Sequence, residues 1–154
     1  MRKKIIDPAH AVDQSDWLDL EALAEVEITS EDAAHPIEAA LIPGQVGGWR
    51  AATPGEQTIR LSFAVPQALK RVRVEFIELA VARSQEYLLR ASEDAGVTFR
   101  DIVRQQWNFS PQGGSHEAEE HEVNLAGVTV LELVITPDRD GGGAHASLDK
   151  LRLR

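Results

Sequence analysis

The chain has no cysteine, which excludes a disulfide framework, a thiolate metal site and a cysteine nucleophile. Packing alone must therefore hold the fold together, and this suits a reducing compartment. No hydrophobic run is long enough to cross a bilayer. Residues 1–6 are basic but are followed by Asp7 and Pro8, so they lack the apolar centre of a secretory signal. From these absences we expect a soluble, cytoplasmic protein with no membrane partner.

Positive charge is missing from one long stretch. Between Ile5 and Trp49 there is no lysine or arginine, whereas ten acidic side chains lie there, and the whole chain has a net charge of -9. A uniformly acidic protein binds nucleic acid poorly, because neutralisation of phosphates supplies most of the non-specific affinity. Since only the first third is strongly acidic, the charge weakens a nucleic-acid function without excluding it.

Short segments with a period of two dominate the pattern of apolar residues, and helical periodicity is scarce. Residues 59–65 and 72–76 alternate between apolar and polar side chains, as half-buried strands do. Residues 86–104 predict a hairpin with a tight turn near Gly96. Residues 128–135 are apolar on both faces, which predicts a central strand, and residues 148–153 predict a final strand. The chain is therefore expected to be all-β, in a sandwich or barrel.

Four segments resemble the discoidin, or coagulation-factor type C, domains of the galactose-binding-like group. Residues 30–41 are similar to the opening turn of that family, with a short helix at 35–41, and Gly48-Trp49-Arg50 resembles its loop tryptophan. Residues 92–99 are similar to its serine-acid-glycine-aromatic hairpin, and residues 146–153 to its closing strand. The resemblance implies a jelly-roll β-sandwich.

The match runs from about Val26 to Arg154. It implies a discoidin-like domain over residues 26–154 and an acidic segment over residues 1–25 that packs on the sandwich or extends it. Within the group, residues 48–59 (GWRAATPGEQTI) are most similar to the N-terminal domain of the X-ray repair cross-complementing scaffold. That domain is a non-catalytic interaction module implicated in contacts with a repair polymerase and with nicked or gapped DNA.

The chain departs from the discoidin pattern where the family has calcium ligands. Residues 41–47 replace the usual aspartate-glycine-aspartate segment and carry no carboxylate, although Asp149 occupies the position of a closing ligand. A hard cation needs such oxygen ligands. We therefore expect no metal and no other cofactor.

Five residues are candidates for ligand binding because they combine ring or guanidinium groups with predicted loop positions: Trp49, Arg50, Arg83, Arg139 and His145. An indole offers a stacking face, and a guanidinium offers a fork for hydroxyl, carboxylate or phosphate oxygens. The alternative for Trp49 is that it caps the core, and for Arg50 that it pairs with Glu56. The other three residues could also be solvated loop residues without a common target.

Other sequence patterns are more typical of a structural role than of a binding or metal site. Residues 107–111 contain an aromatic pair that is typical of core filling, and residues 116–122 are expected to be a solvated acidic loop and not a metal site. Five arginines on predicted strands are expected to point outward. They either form a basic stripe that binds phosphates or an acidic partner, or they are ordinary solvent-facing residues with cross-strand partners. These are Arg60, Arg71, Arg73, Arg152 and Arg154.

No sequence motif of catalysis is present: the chain has neither a phosphate-binding glycine loop, a nucleophile elbow, nor a histidine pair at metal spacing on a helix. We predict that the protein is not an enzyme but a ligand-binding module that holds a carbohydrate or small polar ligand at the loop end of the sandwich. The low aromatic content, 5%, and the lack of a secretory signal argue against a glycan ligand. The alternative is an interaction scaffold for a protein or for nicked DNA.

Overall fold

The structure is a computed structural model, and it describes residues 1–3 and 17–154. The described chain contains two short helices, α1 and α2, and eight strands, β1 to β8. In chain order they are α1 Leu20–Leu23, β1 Ala24–Ile28, α2 Glu38–Leu41, β2 Trp49–Pro54, β3 Gln57–Ile77, β4 Arg83–Ser92, β5 Arg100–Phe109, β6 His116–Thr136, β7 His145–Leu148 and β8 Lys150–Leu153. None of the described helices has the length and apolar character that a bilayer span requires.

Two long antiparallel strands, β3 and β6, connect the layers of the sandwich. They pair along both halves of their length, but the register between them is broken from Ser62 to Arg71 of β3. On one side of the break β1 pairs with β3 and β4 with β6, so that the strand order is β1-β3-β6-β4-β5. On the other side β8 pairs with residues 72–75 of β3, and β2 pairs with β7 in a separate two-stranded sheet. The predicted all-β sandwich is confirmed.

The core lies between these layers. Period-two alternation drives its formation, because every second side chain of a half-buried strand faces inward. In β3, for example, Ile59, Leu61, Val72, Val74 and Phe76 are at most 1% exposed. The largest fully buried side chains are Trp49, Tyr87, Phe76, Ile59, Leu61, Leu69, Leu89, Leu131, Leu133, Ile135, Leu148 and Leu151.

The structure confirms several predicted elements and changes others. Residues 128–135 do lie in a central strand, since β6 has β3 and β4 as neighbours. The hairpin is formed by β4 and β5. The predicted final strand is instead two strands that break at Asp149 and pair with different partners. Val65 is 66% exposed, although it continues the buried alternation of β3, because the register of that strand breaks there.

Residues 17–23 of the N-terminal segment lie against the sandwich. The Leu18 amide donates to the carbonyl oxygen of Leu153 at 2.7 Å, and Asp19 caps α1 by accepting from the Ala22 amide at 3.3 Å. Strand β1 begins at Ala24, two residues before the predicted domain boundary. The division into residues 1–25 and 26–154 stays a prediction, and residues 4–16 of it lie outside the described chain.

Candidate ligand-binding cleft

A cleft of about 510 Å³ opens where three separate parts of the chain meet. These parts are the loop that leads into β2, the β3–β4 connection and the β7–β8 junction; we call this space the arginine cleft. It is lined by His35, Gly47, Trp49, Arg50, Ile77, Glu78, Leu79, Ala80, Ser147, Leu148 and Asp149. Its volume lies in the range of small-ligand sites.

Pairing of β2 with β7 decides which side chains face the cleft. Trp49 lies opposite Leu148, and Arg50 lies opposite Ser147. Because successive side chains of a strand point to opposite faces, Trp49 is buried, at 1% exposure, whereas Arg50 is exposed. The Trp49 indole Nε1 donates to the Ser30 carbonyl oxygen at 3.1 Å. The tryptophan therefore forms the floor of the cleft and caps the core.

Gly48 allows the loop that leads into β2 to lie directly against the end of β7. Its φ is +63°, and a Cβ at this position would lie 2.6 Å from the Leu148 carbonyl oxygen and 2.9 Å from the Asp149 Cα. Only a glycine accepts both the left-handed backbone and the contact. The closeness of this approach places Arg50 beside the β7–β8 junction.

Three polar side chains of the cleft have hydrogen-bonding capacity to spare. Within residues 17–154, the Arg50 guanidinium makes no ion pair, and so does not bind Glu56, and the Asp149 carboxylate accepts no side-chain hydrogen bond. The His35 ring interacts through Nδ1 with the Gly47 carbonyl oxygen at 3.3 Å. If Nδ1 carries the proton, Nε2 remains as an acceptor. The cleft therefore offers donors and acceptors to one polar ligand.

The β3–β4 connection forms the apolar wall of the cleft, and an internal ion pair holds it. Glu78 accepts from Arg83 Nε at 2.8 Å and from the Ala80 amide at 3.1 Å. Burial by itself raises the pKa of Glu78, but these hydrogen bonds more than offset burial, so the pKa lies below its ordinary value. The carboxylate is thus committed to the loop, and Leu79 projects outward at 74% exposure.

The other predicted ligand residues do not line the arginine cleft. Arg83 is 4% exposed and lies behind it, with its guanidinium 4.6 Å from the Phe109 ring centroid. Arg139 lies on the β4–β5 sheet, where it contacts Gln106 at 2.5 Å and Glu86 at 3.2 Å. His145 interacts through Nδ1 with the Ala51 carbonyl oxygen at 3.0 Å, at the other end of β7. The expected grouping of Arg50 with these three residues is not formed, because β-pairing separates them.

Sequence reasoning missed His35, Asp149 and the exposed Leu79 as residues of this cleft. His35 appeared only within a family-like segment, Asp149 was considered only as a closing calcium ligand, and nothing in an isolated apolar residue marks Leu79. Their proximity depends on pairing between distant strands. Whether any of these side chains binds a ligand stays a prediction.

The structure also shows where the strand arginines and residues 116–122 lie. The arginines that were predicted to point outward do not form one stripe. Arg152 is buried, so that prediction is wrong for it, because its guanidinium donates to the Ala40 carbonyl oxygen. Arg60 lies apart and bonds Glu132 at 2.9 Å, as Arg90 does at 2.7 Å. Residues 116–122 are the start of β6 and not a loop, because their alternation lets Glu117 enter the core. In the described ranges no three metal-ligating side chains come together.

The fold was compared with known proteins. No family model and no curated protein matches the chain. Among solved structures, it is similar to a module of Clostridium perfringens, CpGH89CBM32-5, in complex with GalNAc-beta-1,3-galactose. The TM-score is 0.67 at 21% identity, over 90% of this chain and 99% of the other. The fold is galactose-binding-like.

Two further structures agree with this assignment. The family 32 carbohydrate-binding module of C. perfringens NanJ, in complex with galactose, has a TM-score of 0.64 at 14% identity, over 89% of this chain and 96% of that one. The family 32 module of AlyQ, in complex with 4,5-unsaturated mannuronic acid, has a TM-score of 0.65 at 10% identity, over 91% and 98%. The predicted galactose-binding-like jelly roll is confirmed, whereas kinship with the repair scaffold stays a prediction.

Proposed function

We propose that the protein is a non-catalytic carbohydrate-binding module that holds a sugar in the arginine cleft. One observation carries the proposal: Arg50, His35 and Asp149, from three distant segments, converge with uncommitted polar groups beside the apolar loop at Leu79. Sugars are bound in this way, by hydrogen bonds to hydroxyl groups and by apolar contact with the ring. The solved structures of similar fold support it, because they are complexes with galactose, a GalNAc disaccharide and a uronic acid.

The chemistry of each group fits a sugar. The Arg50 guanidinium donates to vicinal hydroxyls, and the Asp149 carboxylate accepts from them. Leu79 and the 40% exposed Ile77 offer a surface to the C–H face of a ring. Trp49 is buried and does not serve as a stacking platform, so we expect modest affinity for a single sugar.

The same geometry argues for binding without catalysis. Hydrolysis of a glycosidic bond ordinarily requires two carboxyl groups that flank the bond. In the arginine cleft, Glu78 is held by Arg83 and the Ala80 amide, which leaves Asp149 as the accessible carboxylate. The proposed activity is therefore recognition.

A glycan array followed by calorimetric titration of the best ligand tests this function. We expect Arg50→Ala to weaken binding by about tenfold or more, because a charge-assisted hydrogen bond to a sugar is lost. Arg139→Ala is the matched control, since Arg139 lies outside the cleft, and it should retain the wild-type affinity.

Binding that is unchanged in Arg50→Ala would rule out this cleft as the sugar site. A nicked duplex in the same assay tests the scaffold alternative. Tight duplex binding that weakens steeply with salt, together with an empty glycan array, would favour that alternative instead.

A further inference from the structure

A second cleft, of about 490 Å³, lies on the other side of the loop that leads into β2. We call it the lysine cleft. It is lined by Trp17, Pro43, Gly44, Gln45, Val46, Gly47, Arg73, Glu75, Asp149, Lys150 and Arg152. Gly47 and Asp149 also line the arginine cleft, so the two spaces share a rim.

Gly47 contributes only backbone to the shared rim. Gly47 has a φ of +93°, and a Cβ built on it would meet nothing within 4 Å. Bare backbone therefore separates the clefts at this point, and no side chain of Gly47 stands between them. A ligand longer than one sugar ring could cross from one cleft to the other.

Three cationic side chains, Arg73, Lys150 and Arg152, and two carboxylates, Glu75 and Asp149, line the lysine cleft. The cleft thus has a small excess of positive charge in a chain whose net charge is -9. Glu75 is already occupied, because its carboxylate accepts from Arg73 Nε at 3.2 Å and lies 3.3 Å from His116 Nε2. Burial raises the pKa of Glu75, but Arg73, Lys150 and His116 together lower it below its ordinary value. The carboxylate is therefore charged and neutralised locally.

Lys150 is the accessible cation of this cleft. It is exposed, and its ammonium makes no ion pair with any residue in the described ranges. Arg152, by contrast, is buried and donates through Nη1 to the Ala40 and Leu151 carbonyl oxygens. Lys150 lies opposite Glu75 in the β3–β8 pair, but Arg73 and His116 make the close contacts with that carboxylate. The Lys150 ammonium can therefore attract an anionic group in this concave site.

We infer that the ligand is an acidic oligosaccharide, whose neutral part lies in the arginine cleft and whose carboxylate or sulfate lies beside Lys150 in the lysine cleft. This inference rests on the proposed function and specifies its ligand class. Under this inference, the preference for an acidic over a neutral ligand depends on Lys150 and not on Arg50. Ligand length also matters, because only a chain of at least two rings reaches both clefts.

Calorimetric titration with α-1,4-linked trigalacturonate and the neutral α-1,4-galactotriose tests the inference. At low salt we expect the acidic trisaccharide to bind about fivefold more tightly, which is the gain typical of an accessible ion pair. The ratio of the two affinities should fall as sodium chloride is added. In Lys150→Gln the ratio should approach one, whereas Lys150→Arg should preserve it.

Lys70→Gln is the matched control, because Lys70 donates to Asn124 Oδ1 and lies outside both clefts. It should leave the ratio unchanged. An acid preference that survives Lys150→Gln and disappears in Arg50→Ala would overturn the inference and place the anion in the arginine cleft. Equal affinity for the two trisaccharides, or binding of neither, would overturn it as well. Neutral binding that depends on Arg50 but shows no acid preference would refute only this inference and leave the proposed function standing.

Discussion

Replacing Glu117 with glutamine is expected to remove a large part of the pH dependence of stability. Glu117 lies on β6, is 1% exposed, and accepts at Oε1 from Gln85 Nε2 at 3.3 Å. Its Oε2 is buried and has no hydrogen-bond partner in the described chain, and the same is true of Arg83 Nη2. Gln85 joins the two, because it also accepts from Arg83 Nη1 at 3.0 Å.

The other groups near Glu117 do not compensate for its charge. Burial raises the pKa of Glu117, and repulsion by Glu119 raises it further, to about 7 from the ordinary 4.5, despite the opposing effects of Gln85 and Arg83. Burial also raises the pKa of Tyr87, which is neutral and contacts His121 Nε2 at 2.7 Å. The site therefore favours the protonated carboxyl.

The direction of the effect follows from proton linkage. An acid whose pKa is higher in the folded than in the unfolded state binds more protons when folded between the two values. The free energy of unfolding therefore falls as the pH rises from 4.5 through about 7. At pH values well above 7 the ionised Glu117 costs about 3 kcal/mol, at about 1.4 kcal/mol for each unit of pKa shift.

Urea denaturation at pH 5.5 and pH 8.5 measures the larger part of this effect. Between these conditions the wild-type protein should lose about 2 kcal/mol more than Glu117→Gln, because the carboxyl of the unfolded chain is already mostly ionised at pH 5.5. The pKa of His121 is lowered by burial, so its protonation destabilises the fold at low pH, but it does so in both proteins and cancels in the comparison. Glu122→Gln is the control, because the Glu122 side chain is 80% exposed.

Identical pH dependence in the wild type and Glu117→Gln would refute the reasoning. It would mean that Glu117 is ionised throughout this range and that Arg83 compensates its charge.

Two further predictions concern the loops of the arginine cleft. Gly48→Ala should lower the free energy of unfolding by about 2 kcal/mol or more, because it forces a Cβ into the Leu148 carbonyl oxygen at a positive φ; thermal unfolding measures this, and Gly143→Ala, which meets nothing within 4 Å, should change little. Arg83→Met should cost about 3 kcal/mol in urea denaturation, since it leaves the carboxylate of Glu78 without its main partner. It should also weaken glycan binding, and undiminished binding would show that this ion pair does not hold the loop.

The strands were largely predictable from the sequence because alternation between buried and exposed side chains is a local property. Residues 72–76 show it, and Val72, Val74 and Phe76 are buried as predicted. The prediction failed at Val65, where the register break of β3 ended the alternation. A break of that kind depends on the partner strand, which the local pattern does not reveal.

The burial of charged residues was the least predictable feature. Arg83 and Arg50 have the same side chain, and both were expected on loops at one end of the sandwich. Arg83 is buried because Glu78, Gln85 and the Pro137 carbonyl satisfy its guanidinium, whereas Arg50 has no such partners in the described part of the chain. Only the fold shows which arginine is neutralised and which is available.

The sequence by itself determined the all-β class and the galactose-binding-like resemblance. It placed Trp49 and Arg50 on a loop, whereas the structure shows that they begin β2. The tertiary structure decided which residues meet. His35, Arg50, Leu79 and Asp149 come from segments that are far apart in the chain, and they form one cleft because β2 pairs with β7 and the β3–β4 connection folds over that pair. Alternation is encoded by neighbouring residues, but a binding cleft is encoded by contacts between distant ones, and these exist only once the strands have paired.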